Sequence, residues 1–150
     1  AARLAGRRWP IPVEITGYVD DMPLWMAAAD LLVSKAGPGT IAEALACGLP
    51  MILSSFVPGQ ETGNVRYVEE NGVGVYRSEP AEIAALVDAW LAPGNAELAA
   101  LAARARNLAR PDAALDIARA LSTLLDPREW NSRAEPEKAP QGFPDTHPSR

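Results

Sequence analysis

Short apolar runs alternate with amphipathic stretches along most of this chain. Residues 13–16 alternate apolar and polar side chains and close at Gly17, which predicts a short strand. Residues 22–29 predict a short helix, with Asp20 or Asp21 as its N-cap and Pro23 in its first turn. Leu31, Leu32 and Val33 begin an apolar run that predicts a buried strand over residues 31–34. A glycine-rich turn follows, and the helical pattern over residues 40–47 stops at Gly48. A third strand is predicted over residues 50–54. The next helix, over 60–71, ends at Asn71 and Gly72, and a fourth strand covers 73–76. Pro80 opens a helix to residue 91, stopped by Pro93 and Gly94, and alanine-rich helices are predicted over 96–109 and 112–125.

Strands that alternate with helices call for a parallel sheet with helices on both faces, so the fold class is α/β with a Rossmann-like sheet. Such sheets bind ligands beyond the carboxyl ends of their strands. Two polar turns follow strands here, one at Gly37, Pro38, Gly39 and Thr40, the other from Pro58 to Asn64. The pattern stops at residue 126. Pro127, Pro136, Pro140, Pro144 and Pro148 punctuate an apolar-poor stretch that buries too little surface to offset its ordering entropy. Residues 1–125 therefore read as one domain, and residues 126–150 as a proline-rich tail expected to be disordered or to lie along the surface.

Composition narrows the function. A chain of 150 residues suffices for a domain with a real core, and a net charge of -5 argues against a nucleic-acid partner. The single cysteine, Cys47, excludes an intrachain disulfide and a multi-cysteine metal site, and reads as a small apolar residue near a helix end. No apolar run approaches the roughly 20 residues of a membrane helix, and no signal peptide is visible. The sole histidine, His147, lies in the tail and is a poor catalytic candidate. The chain opens at Ala1 without methionine, close to a basic helix-like segment. That start suggests a piece of a longer protein, with processing or design of the expressed chain as other routes to it.

A nucleotide sugar needs donors for its pyrophosphate, acceptors for its ribose diol and polar groups for its sugar hydroxyls. Gly37, Pro38, Gly39 and Thr40 supply the first: glycines let the backbone approach closely, and Thr40 caps the helix or donates its hydroxyl. Glu43 lies about one turn further on, where a carboxylate accepts from two adjacent ribose hydroxyls. Gln60 and Glu61 stand at the next strand-to-helix turn, where a hexose would meet them. Residues 37–42 also match a dinucleotide fingerprint formally, but the acid that fingerprint wants at the end of the next strand is missing, since that strand ends in Ser54 and Ser55. No Gly-Lys pair followed by Ser or Thr marks an ATPase-type phosphate loop. Asp20 and Asp21 read as caps rather than as a metal pair.

The run from Ser34 to Ala44, then Gly48, Leu49 and Pro50, then Pro58 to Asn64, closely resembles the monogalactosyldiacylglycerol synthases. Residues 17–26 and 68–74 also fit, so the resemblance covers residues 13–125. More distantly the chain is similar to the glycosyltransferase that adds N-acetylglucosamine in peptidoglycan lipid synthesis, within glycosyltransferase family 28. The resemblance implies the carboxyl-terminal, UDP-sugar-binding half of a GT-B fold, incomplete at its amino-terminal side. It implies Tyr18 against the uracil, the Val19 backbone at the base edge, the turn from Gly37 to Thr40 on the phosphates and Glu43 on the ribose. Gln60 and Glu61 fall on the donor sugar, with Asn64 as a neighbour. Tyr18 and Trp25 also fit as plain core aromatics, the preferred reading for Trp25.

By the same resemblance the reaction is inverting hexosyl transfer, of galactose or glucose, to diacylglycerol, with no cofactor and no metal. The general base lies on an absent amino-terminal domain, so no catalytic residue is expected in this chain, which alone would bind donor weakly. The full protein is expected to be cytoplasmic and peripherally membrane-associated. Three alternatives stay open: a related GT-B transferase with another lipid or aglycone acceptor, a non-catalytic nucleotide-sugar-binding subunit, and a dinucleotide-binding domain.

Overall fold

The computed structural model describes residues 7–124. The chain divides into two compact units, Ala1–Pro111 and Asp112–Arg150. In the first unit, helix α1 (Met22–Ala28), strand β1 (Leu32–Lys35), helix α2 (Pro38–Ala46), strand β2 (Met51–Ser55), helix α3 (Thr62–Glu70), strand β3 (Gly74–Tyr76), helix α4 (Pro80–Trp90) and helix α5 (Ala96–Leu108) follow in order. The described part of the second unit is helix α6 (Ala113–Leu124), where Arg119 and Asp116 pair at 3.0 Å one turn apart. Residues 125–150, including the expected tail and His147, lie outside the described residues.

The three strands form one parallel sheet in the order β1-β2-β3, with Leu32 opposite Met51 and Met51 opposite Gly74. β2 is central, and its first three residues, Met51, Ile52 and Leu53, are apolar and buried because helices cover both its faces. Successive side chains point to opposite faces. Met51 and Leu53 pack with Ile41 and Leu45 of α2 and Val68 of α3, while Ile52 packs with Trp90 of α4 and Leu101 of α5. Cys47 sits at the C-cap of α2, partly buried against the first of these clusters, as its reading as a small apolar residue requires.

Helices α2 and α3 end in the same way. Gly48 (φ 66°) donates its N–H to the Leu45 carbonyl at 2.9 Å, and Leu49 donates to Ala44 at 2.8 Å. Gly72 (φ 60°) and Val73 repeat the pair on Glu69 and Val68, at 3.0 and 3.2 Å. This is the 5→2 and 6→1 closure that glycine in a left-handed conformation permits, and it turns the chain directly into β2 and β3.

Three readings of the sequence need correction. Residues 13–16 form no strand: none of their backbone groups bonds a neighbour among the described residues, Val13 is exposed, and alternation without a pairing partner does not make a ladder. Among the described residues the sheet accordingly has three strands, with β1 at one edge. Asp21 is the N-cap of α1, one of the two positions the sequence offers, though its carboxylate accepts the Trp25 indole N–H at 3.1 Å instead of a capping bond. Trp25 itself is 45% exposed rather than a core aromatic. Helix α2 starts at Pro38, two residues early, since Pro38 at N1 has φ preset for a helix; Gly37 is the N-cap and Thr40 does not cap.

Candidate functional site

Because β1 and β2 are parallel neighbours, the turns after them lie side by side at one end of the sheet. Several bonds join them. The Ala36 N–H donates to the Ser55 carbonyl at 2.9 Å, and the Asn64 side-chain amide donates to the Ala36 carbonyl at 2.9 Å. The strand register slips between Ser34 and Lys35, so Lys35 falls opposite Ser55. Its ammonium reaches the Glu61 carboxylate on the second turn.

The first turn opens helix α2 with unspent donors. Pro38 has no N–H, and no side chain caps the helix. The Ile41 N–H returns to the Gly37 carbonyl at 3.0 Å, but the N–H groups of Gly39 and Thr40 have no partner among the described residues. No acidic side chain occupies the first turn. Two donors without a partner among the described residues, at the positive end of a helix dipole, have the chemistry to receive an anion.

The glycines of this turn are not explained by the fold. Gly39 has open space where a Cβ would stand, and a Cβ on Gly37 would meet only Lys35 Nζ at 3.6 Å and Thr40 Oγ1 at 3.7 Å, ordinary contacts. Neither has a positive φ. Gly74 is the opposite case, since a Cβ there would lie 2.3 Å from the Met51 carbonyl oxygen.

Glu43 lies four residues beyond Gly39 and three beyond Thr40, hence on the same face of α2. Gly39, Ala42 and Glu43 are exposed, while Ile41, Ala44 and Leu45 face the core. A ligand seated on the Gly39 and Thr40 N–H groups would thus run past two small residues toward a solvated carboxylate.

The second turn is more tightly built. Its backbone closes by Glu61 N–H donating to the Val57 carbonyl at 2.8 Å, with Gly59 at φ 81°. The Thr62 hydroxyl accepts from the Gly59 N–H at 3.1 Å. Glu61 occupies the N-cap position of α3 without capping it. Only 4% exposed, it accepts the Lys35 ammonium on one oxygen and the Val57 N–H on the other at 2.8 Å. The Lys35 hydrogen bond, then the Val57 N–H, hold its carboxyl below the ordinary 4.5 despite burial, which acts in the other direction. Gln60 is exposed and its side chain has no bonded partner among the described residues.

The first turn, Glu43, Gln60, Glu61 and Asn64 are therefore brought to one end of the sheet. Tyr18 and Val19 are not joined to them: they lie in a segment without regular structure, Tyr18 is 94% exposed, and no hydrogen bond among the described residues ties either to the turns. Lys35 escaped the sequence reading, because a lysine at the exposed end of a strand carries no periodic signal of a partner 26 residues away. Among the described residues no group of three or more His, Cys, Asp or Glu side chains could hold a metal. A recess of about 410 Å³, lined by Asp30, Cys47, Pro50 and Arg106 among others, opens at the amino ends of β1 and β2, away from both turns.

The chain is also similar in sequence to known proteins. Monogalactosyldiacylglycerol synthase 3, chloroplastic, of Arabidopsis thaliana is 46% identical over 124 residues, which span 83% of this chain and 27% of that protein. The probable monogalactosyldiacylglycerol synthase 3 of Oryza sativa subsp. japonica is 46% identical over 124 residues, 83% of this chain and 24% of the relative. The chloroplastic synthase of Spinacia oleracea is 46% identical over 125 residues, again 83% and 24%. The chain spans about a quarter of the length of these relatives. The family model described as "Glycosyltransferase family 28 C-terminal domain" matches residues 3–120, and with its parallel sheet and paired turns the chain belongs to that family.

Proposed function

We propose that this chain is the donor-binding half of an enzyme that transfers a hexose from a UDP-sugar to diacylglycerol. The observation that carries the reading is the open first turn of α2: two N–H groups unpaired among the described residues, glycines that the fold itself does not require, and Glu43 one helical turn along the same face. In this reading the diphosphate sits on the Gly39 and Thr40 N–H groups, with Gly37 and Pro38 setting the approach and the Thr40 hydroxyl beside them. Glu43 accepts from the two ribose hydroxyls, Tyr18 stacks on the uracil, and the Val19 backbone reads its edge. Gln60 and Glu61 orient the sugar, and Asn64 holds the two turns together.

The glycerol hydroxyl of the acceptor loses its proton to a base carried by the rest of the protein. The alkoxide forms the new bond to the anomeric carbon as the bond to the diphosphate oxygen breaks, which inverts that centre. UDP leaves with the electron pair. Negative charge grows on the diphosphate during this step, and preorganised N–H dipoles stabilise it without reorganising. The reading assigns that charge stabilisation to the helix start and uses no metal. The relatives' names favour galactose as the sugar. A lipid acceptor puts the full protein at a membrane surface as a peripheral partner facing the cytoplasm; no described helix is long and apolar enough to cross a bilayer.

Calorimetric titration of the chain with UDP, UDP-galactose, UDP-glucose and NADH tests the proposal. UDP and the UDP-sugars are expected to bind competitively at one site. NADH binding without UDP binding would replace the reading with a dinucleotide domain.

A further inference from the structure

The ion pair that joins the two turns has one fixed half and one free half. The Glu61 side chain is 5% exposed, and its second oxygen accepts the Val57 N–H at 2.8 Å, independently of the oxygen that meets Lys35. The Lys35 side chain is 53% exposed, and Glu61 is its sole hydrogen-bond partner among the described residues. Lysine carries three rotatable donors on a flexible four-carbon stem, so it changes partner with little strain. Its Nζ stands 3.6 Å from where a Cβ on Gly37 would lie, and so overhangs the turn whose Gly39 and Thr40 N–H groups are unpaired. A diphosphate on those donors would lie beside the ammonium and carry more charge than the carboxylate now holding it.

We propose that Lys35 is a donor-binding residue with two alternating partners: it holds Glu61 in the free protein and moves to the diphosphate of a bound nucleotide sugar, which leaves the Glu61 carboxylate to accept hydrogen bonds from the sugar hydroxyls. The proposal rests on the nucleotide-sugar reading above. Only hydrogen bonds change hands. Val57 keeps Glu61 in place during the exchange, so the carboxylate freed by Lys35 needs no rearrangement to meet the sugar. The order of events also couples the two halves of the donor, because the sugar's acceptor becomes available only once the diphosphate has arrived.

The test is calorimetric titration of this chain and its variants with UDP and with UDP-galactose, each variant checked by a thermal melt. Lys35→Met should weaken UDP about tenfold, the loss of one charge-assisted hydrogen bond, and Lys35→Arg should restore most of it. Glu61→Gln keeps an oxygen for Val57 but releases the ammonium. It should tighten UDP by roughly threefold, or about 0.7 kcal/mol, while abolishing any preference for UDP-galactose over UDP. The opposite signs are decisive, since a purely structural tie behaves alike when cut from either end. Weakening of UDP by both variants, or no change in either, overturns the proposal and leaves the nucleotide-sugar reading standing. A wild-type chain that binds no UDP removes both. Should Lys35→Met fail to fold, failure of Glu61→Gln to tighten UDP overturns the proposal by itself.

Discussion

Replacing Gly39 by alanine separates what the fold needs from what a ligand needs. Gly39 is the second residue of α2, its φ is not positive, and nothing lies within 4 Å of an added Cβ. The folded chain therefore accepts the methyl without strain, and alanine narrows the unfolded ensemble. That should stabilise the protein by about 0.4–1 kcal/mol. For a domain of this size the gain appears as a melting temperature raised by about 1–4 °C. Binding should move in the opposite direction. A helical Cβ tilts toward the helix N-terminus, so this methyl projects into the volume a phosphate would occupy against the Gly39 and Thr40 N–H groups. Displacing the phosphate from one charge-assisted hydrogen bond costs about 1.5–3 kcal/mol, a factor of roughly 10–150 in Kd.

Scanning calorimetry and UDP titration on the same preparation read both signs. Gly63→Ala is the internal control: Gly63 is likewise the second residue of its helix, α3, with nothing near its Cβ position, so it should gain stability and keep UDP affinity. A higher Tm for Gly39→Ala with unchanged UDP affinity would refute the close approach of a phosphate to this turn. A lower Tm would refute the claim that the fold leaves the position free.

Other consequences are measurable. Glu43→Ala should weaken UDP by about 1.5–3 kcal/mol with no change in melting temperature, and an unchanged Kd returns Glu43 to a solvated helix charge. Gly74→Ala drives a Cβ to 2.3 Å from the Met51 carbonyl oxygen and should cost at least about 1–3 kcal/mol in urea denaturation; neutral behaviour would mean β2 and β3 separate freely. The Glu61 carboxyl is held below 4.5 in the folded chain, so its contribution to stability is complete above that value and is lost as pH falls through the lowered one. Unfolding free energy measured from pH 6 down to pH 3 should therefore fall less steeply in Glu61→Gln than in the wild type, and parallel curves would deny the ion pair any net role.

The sequence pattern located β1, β2, β3 and the helices from α2 to α6 to within about two residues, because each is set locally by apolar runs, prolines and glycines. What it misjudged depends on groups distant in sequence or on a single rotamer. Residues 13–16 have strand-like alternation, but a strand exists only where another offers its backbone. Trp25 sits on an apolar helix, yet its indole N–H finds Asp21 and the ring stays at the surface. The start of α2 was misread because Thr40 outranks Gly37 as a generic cap, whereas Pro38 at N1 decides the matter. Lys35 and Glu61 were both visible as charges, but their meeting follows from the parallel pairing of β1 with β2 and from the register slip at Lys35.

The distribution of glycines links the fold to the site. At Gly48 and Gly72 the backbone must take a left-handed turn to leave a helix for a strand, and at Gly74 two backbones come too close for a side chain. Those positions are settled by the chain alone. Gly37 and Gly39 satisfy neither condition, and helix α2 would form more readily with alanine in place of Gly39. A glycine that lowers stability without relieving strain implies an approach from outside the chain. Here it lies beside two N–H groups unpaired among the described residues, under a lysine with one bonded partner among them, and on the same helix face as an exposed carboxylate. Each feature alone has an ordinary explanation in protein surfaces. Their convergence at the carboxyl ends of two adjacent parallel strands is what a diphosphate with a sugar on either side would require.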